Sequence, residues 1–223
     1  TELGLMVNVG TGRFIATGDL TSTGVQSFYG IFDNGSDLAS YTTAPTMPYT
    51  RSNLQAQTLS LATYTPTNTS VVLSTNNPVN LTYASETVTN PAAPPPTITV
   101  PPQEGWYFDV SPVGSGARIF TNSLVENGGV QFTINVPPAT SATSCGNPLS
   151  YLMNVSYGSG GPFAQPSIGL NGGISVGGTV SGKNPVGVYI SNAYSSAPTS
   201  VPTGTGTNLR RLSTANGLIG IPT

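Results

Sequence analysis

Histidine is absent from this sequence, cysteine occurs once, and only 6 % of the 223 residues are charged. Each shortage removes a class of chemistry. Without histidine there is no imidazole to serve as general base or to complete a Ser–His arrangement. One cysteine, Cys145, cannot close a disulfide within the chain. It reads as a small buried residue, or as half of a pair whose other member lies outside the sequence. Cys and His ligands for a zinc site are lacking. Lys and Arg total 6 against 8 Asp and Glu, a net charge of -2. Six cations cannot cover a phosphate track, so no nucleic acid is expected as partner. No apolar run is long enough to cross a membrane as a helix. So few ions also imply a weak dependence of stability on pH and salt.

The carboxylates are scattered. Asp19, Asp33, Asp109 and Glu126 stand in no local motif, and a glycosidase would need two of them across one cleft. No catalytic residue, cofactor site or metal site is expected in this segment, and the chain is read as not an enzyme.

What the sequence does hold is apolar mass in short pieces. Hydrophobic residues make up 37 %, with 10 Tyr, 7 Phe and a single Trp, punctuated by 27 Gly and 20 Pro. Residues 3–15 alternate through Leu5, Val7 and Val9 before glycines break the run. Residues 26–33, QSFYGIFD, form a second strand that puts Phe28, Gly30 and Phe32 on one face and Tyr29 and Ile31 on the other. Asp33–Asn34–Gly35 then signals a turn. Residues 53–64 alternate imperfectly and read as a strand, or as a short helix followed by one. Residues 105–110, GWYFDV, place Trp106, Phe108 and Val110 on one face and Tyr107 and Asp109 on the other. Further strands are expected over residues 118–136, 150–158 and 187–194, and the segments 208–213 and 217–222 close the chain.

Residues 65–103 differ in character. Short strands are expected at 71–73 and 79–83 among Pro, Thr and Asn, and 91-PAAPPPTITVPP-102 is dense in proline. Proline denies ladder hydrogen bonds and favours extended polyproline II backbone. The stretch is read as a Pro/Thr/Asn-rich insertion, and residues 84–103 as an exposed arm with few ladder bonds. No segment has the length and 3.6-residue period of a good helix. The fold class is therefore all-β, with about ten to fourteen short strands in one domain, 1–223, arranged as a propeller or a sandwich.

A sharper signal lies in the order of particular residues. Gly10–Thr11–Gly12–Arg13 is followed by Gln26–Ser27–Phe28–Tyr29–Gly30 and Asp33, then by Arg51 and Leu54, then by Gly105–Trp106–Tyr107 and Asp109. A basic strand at 118–121 with a glycine-rich hairpin at 128–133, and a stretch through Cys145 to Met153, complete the series. This order resembles the C-terminal β-propeller domain of the PilY1/PilC family of type IV pilus biogenesis and tip-adhesin proteins. The resemblance runs over residues 4–158 and is loose beyond. It implies four-stranded antiparallel blades, with the ring incomplete in a chain of this length; the β-sandwich remains the alternative.

The resemblance also implies a function. The chain would be a non-enzymatic pilus tip-associated protein supporting pilus assembly, twitching motility and surface adhesion. The alternative is a structural β-rich surface or appendage protein without a specific ligand. Implied partners are pilins or minor pilins, the rest of its own polypeptide, and a host or abiotic surface. The implied location is the outer surface at the pilus tip, with passage through the periplasm or outer membrane during assembly. The family's calcium loop, with alternating aspartates, has no match; the nearest pattern, Asp33–Asn34–Gly35–Ser36–Asp37, reads as a hairpin turn. Gly10–Arg13 reads as a tight strand connection, because no helix and no Lys-Ser or Lys-Thr follows to make a phosphate loop.

Overall fold

The structure is a computed structural model. It describes residues 4–33, 49–82, 84–89, 97–126, 128–138, 140–141, 144–163, 178–202, 208–214 and 217–222. The side chains of 89, 140–145 and 199–223 lie outside that description. The expected turn at 34–37 also lies outside the described residues.

The described residues are all-β, with helical backbone confined to short 3-10 turns. A first sheet takes the order β1 (Leu5–Gly10), β2 (Ser27–Asp33), β8 (Gly105–Asp109) and β3 (Gln55–Ala56). Its first two pairings are antiparallel and the β3–β8 pairing is parallel. A second sheet has six strands in the order β4 (Leu59–Tyr64), β5 (Thr69–Ser74), β14 (Gly187–Ser191), β13 (Leu149–Ser156), β10 (Gly129–Val136) and β9 (Leu124–Glu126). The chain thus returns to each sheet from distant parts of the sequence. Three small units complete the list: the hairpin β6 (Glu86–Thr89)–β7 (Thr97–Val100), the hairpin β11 (Thr140–Ser141)–β12 (Ser144–Cys145), and the three-stranded β15 (Thr199–Pro202)–β16 (Asn208–Thr214)–β17 (Gly217–Pro222).

The two large sheets meet face to face through one core. Phe28, Trp106 and Phe108 from the first sheet pack with Phe132, Ile134, Tyr151, Met153 and Val72 from the second. The Phe28 and Phe132 rings stack across the junction, nearly parallel, with centroids 4.0 Å apart. Period-two alternation puts these residues inward, and the expected division of faces in β2 and β8 is the one observed. The far face of the second sheet is buried as well. Val71, Leu152, Val188 and Ile190 form a separate apolar cluster there.

Trp106 is fully buried and donates its indole N–H to the carbonyl of Tyr157 at 2.8 Å. Its ring fills a slot that only glycine leaves open. Gly30 lies opposite Trp106 in the strand register, and a Cβ there would sit 2.4 Å from the indole. Gly160, with φ +67°, comes as close from the second sheet's side, where a Cβ would be 2.2 Å away.

The Pro-rich arm is corrected by the structure. Residues 86–89 pair antiparallel with 97–100 in four register positions, so the segment is a hairpin rather than an arm lacking ladder bonds. The prolines at 91 and 94–96 fall between the two strands in the sequence, outside the described residues, and none of the paired positions is a proline. The base of the hairpin is anchored: the buried Asn80 side chain donates to the carbonyls of Ala84 and Val100 at 2.8 and 2.9 Å. Residues 79–82 of the segment 79–83, read as a strand, instead run irregularly around that side chain, and residue 83 lies outside the described residues. Within the same Pro/Thr/Asn-rich stretch, β5 is a core strand whose Val71 and Val72 are fully buried.

Candidate functional site

Five of the motif residues, Ser27, Tyr29, Arg51, Tyr107 and Asp109, converge on the outer face of the first sheet. Thr50 opens a single 3-10 turn, its backbone N–H donating to the Asn53 side chain at 2.8 Å. This turn aims Arg51 across β2 and β8. The guanidinium donates to Ser27 Oγ at 2.9 Å and to the Asp109 carboxylate, and Ser27 Oγ donates to the same carboxylate at 2.6 Å. It also lies over the Tyr107 ring, 4.1 Å from the centroid, and 5.5 Å from that of Tyr29. The two tyrosines are register partners and stack at 6.0 Å. Burial alone would lower the affinity of Arg51 for its proton, but the bond to Asp109 and its charge hold the pKa above the ordinary value.

The arrangement fixes geometry more than it adds energy. Both ends of the ion pair remain well exposed, at 44 and 38 %. Pairs of that kind contribute about 0–1 kcal/mol. Arg51→Met is therefore expected to lower stability by less than about 1 kcal/mol in urea titration. A larger loss would show the cluster to be a principal tie of the fold.

Beside this cluster the first sheet offers apolar surface. Leu5, Val7, Val9 and Ile31 are 65, 47, 44 and 39 % exposed. Val7 pairs with Ile31 and Val9 with Tyr29, which puts them on one side of the sheet. Tyr49, Thr50, Leu54 and Glu104 join Tyr29, Ile31 and Arg51 around a cleft of about 340 Å³.

The Gly10–Arg13 element serves a different end of the sheet. Thr11 holds Ser27 from both sides: its N–H donates to Ser27 O and its Oγ1 accepts from Ser27 N, each at 2.8 Å. Residues 118–119 cross so closely that a Cβ on Gly10 would meet Ile119 at 2.3 Å and one on Gly12 would meet Arg118 at 2.7 Å. Arg13 pairs with Asp19 at 2.9 Å, while Asp19 also accepts from the N–H groups of Ile15 and Ala16 at 2.8 and 2.9 Å. Those backbone bonds, then the Arg13 bond, hold the Asp19 carboxyl far below the usual carboxylate range.

A depressed folded-state pKa means that the carboxylate stabilises the fold at any pH above its unfolded value, near 3.9. That contribution fades as pH falls towards the folded value. Asp19→Asn is expected to lower the melting temperature at pH 7, and the gap from the parent protein should narrow as pH drops below about 4. Thermal melts from pH 2 to 7 check this; a gap that is constant with pH would contradict it.

Of the other residues singled out from the sequence, Phe28 and Trp106 lie in the core, and Gly105 packs against the Gly30 backbone. Leu54 lines the cleft beside Arg51, Gln26 borders a second cleft near Arg13, and Asp33 pairs in register with Leu5. Cys145 pairs through its backbone with Thr140; its side chain is outside the described residues. Sequence reasoning missed Gln57. Its buried side chain accepts from Thr75 Oγ1 and Asn77 N and donates to the carbonyls of Asn77 and Ser159, at 2.7–3.0 Å. Among the described residues no group of three Cys, Asp or Glu is placed to hold a metal ion. No described helix is long and apolar enough to cross a membrane.

Two sheets pack through a shared aromatic core, and the first sheet's opposite face is exposed among the described residues; the all-β fold falls in the propeller class through the solved structure that it resembles. The fold is that of the Pseudomonas aeruginosa PilY1 C-terminal domain, whose crystal structure superposes with a TM-score of 0.62 at 18 % sequence identity. The match covers 98 % of this chain and 41 % of that one, so the chain spans well under half of the domain it resembles. No protein-family model matches the sequence, and no curated protein matches it.

Proposed function

We propose that this chain is a segment of a non-enzymatic, type IV pilus-associated surface protein, and that its sheets support pilus assembly, and through it twitching motility and attachment. The observation that carries this reading is the fold shared with the PilY1 C-terminal domain over 98 % of the chain. The composition supports it, since histidine is absent and the carboxylates are dispersed. A low-charge surface suits many weak contacts through hydroxyl and backbone groups, which gain strength by repetition along an appendage.

The outer face of the first sheet is the assembly surface in this reading. Its apolar residues, Leu5, Val7, Val9 and Ile31, take a further β-sheet of the same polypeptide, as its inner face takes the second sheet. Its Arg51–Asp109 pair is neutral as a unit and adds no net charge to that contact. Pilins or minor pilins are the next partners, at the tip on the cell's outer surface. The framework, rather than a receptor pocket, is what this segment contributes.

Clean deletion of the segment in the cell that makes the protein is expected to reduce surface pili and abolish twitching. Unchanged pilus number, motility and attachment would sink the proposal and favour a structural surface protein without a specific ligand.

A further inference from the structure

We propose that the cleft between Arg13 and Arg118 binds a single carboxylate carried on an aliphatic group, the chemistry of an acidic or C-terminal residue of a polypeptide. The inference is independent of the pilus reading. It begins with a charge that has no salt-bridge partner among the described residues. Arg118 is only 4 % exposed. Its Nε donates to Gly116 O, its Nη1 to Arg13 O and its Nη2 to Ser22 O, at 2.9, 2.9 and 2.8 Å. All three acceptors are neutral carbonyls, and the described ion pairs of the chain are Arg13–Asp19 and Arg51–Asp109. A buried charge is ordinarily paired.

The guanidinium has donors to spare. It carries five N–H groups, of which these bonds use three, leaving one on each Nη. Two parallel N–H groups are the match for a carboxylate. Arg118 also lines an open cleft of about 460 Å³ together with Gly12, Arg13, Asp19, Ser22 and Gln26.

The charge of the lining selects the ligand. Two arginines and one aspartate give a net +1, which balances a monoanion. Asp19 is already engaged by Arg13 and two backbone N–H groups, so it neutralises Arg13 and opposes a dianion such as sulfate. A second cleft, also about 460 Å³, shares Ser22 as a wall and is lined by Leu20, Val136, Pro137, Pro138 and Leu149 among others. That neighbour is mainly apolar and suits the aliphatic remainder of the ligand.

The test is an NMR titration of the folded 223-residue protein, following the arginine Nε–H and backbone amide signals. Hexanoate should shift the signals of Arg118, Gly12 and Gln26 saturably. Hexanamide, the neutral counterpart, should bind at least tenfold more weakly, acetate at least fivefold more weakly, and sulfate should not compete. Arg118→Lys should weaken hexanoate at least tenfold with an unchanged circular dichroism spectrum. Arg13→Gln, on a side chain 71 % exposed, should do the same if the lysine variant fails to fold. Equal responses to hexanoate and hexanamide, shifts as large at Arg51 as at Arg118, or full binding by the folded variants would overturn the proposal.

Discussion

Replacing Trp106 with alanine is expected to cost about 3–5 kcal/mol of folding stability, the range for removing a fully buried large aromatic. The indole is surrounded on every side. Phe28 and Phe108 stack on it at 5.9 and 5.7 Å, Gly30 and Gly160 press against its faces, and its N–H holds the Tyr157 carbonyl. Removal would leave a cavity at the junction of both sheets and an unpaired carbonyl beside it. Glycines do not have side chains with which to fill the gap. Urea denaturation of the variant reads the effect, and a loss below about 1 kcal/mol would show the ring to be peripheral. Gly30→Ala probes the same slot from the opposite direction, because its methyl group would overlap the indole.

The second large effect is expected at Gln57. Gln57→Leu keeps the size of the side chain but removes four hydrogen bonds, leaving Thr75 Oγ1, the Asn77 N–H and the carbonyls of Asn77 and Ser159 without their partner. Each buried polar group left unsatisfied costs about 1–3 kcal/mol. Water will reach some of them, so a loss of about 2–4 kcal/mol is expected. Gln57 ties the end of β3 to the segment after β5 and the turn after β13, so the loss should fall on the junction of the sheets. Hydrogen exchange should accelerate first at residues 75–77 and 159–161. A fully stable variant with unchanged exchange would remove Gln57 from the set of residues that join the sheets.

The strands with period-two patterns were legible from sequence, because burial on one face leaves a direct trace in the residues. β2 and β8 each divide as their alternation predicts, with Phe28, Trp106 and Phe108 inward and Tyr29 and Tyr107 outward. The all-β class followed from the same patterns. The Pro-rich segment was misread because proline density says nothing of where the prolines fall relative to a ladder. Here Thr97–Val100 escapes them and pairs with Glu86–Thr89.

Other features leave no local trace. Alternating Gln131, Thr133 and Asn135 in β10 is the pattern of a half-solvated strand, yet all three are buried. Asn135 accepts from Ser150 Oγ and Ser195 N at 2.7 and 2.8 Å, so distant segments satisfy it. Neither β3's parallel pairing nor the six-stranded width of the second sheet can be read from strand patterns, since both depend on which distant strands become neighbours. The cluster around Arg51 shows the same limit. Its members lie 24 and 58 positions apart from Arg51 at Ser27 and Asp109, and only the resemblance placed them in one ordered set. No spacing within the chain announces that they touch. Gly12 and Arg118 are similar: the close approach of residues 118–119 explains the glycine only once the fold is known.

The outer face of the first sheet is proposed above as a joining surface through which this segment supports pilus assembly. The most direct measurement is a count of surface pili in cells whose own copy carries Val7→Lys and Ile31→Lys together. These residues face each other in the register and are 47 and 39 % exposed, so the isolated chain should keep its circular dichroism spectrum and melting temperature. The protein is expected to be present in these cells while surface pili fall to the level of the deletion strain. Normal pilus numbers with the double variant folded and present would contradict it.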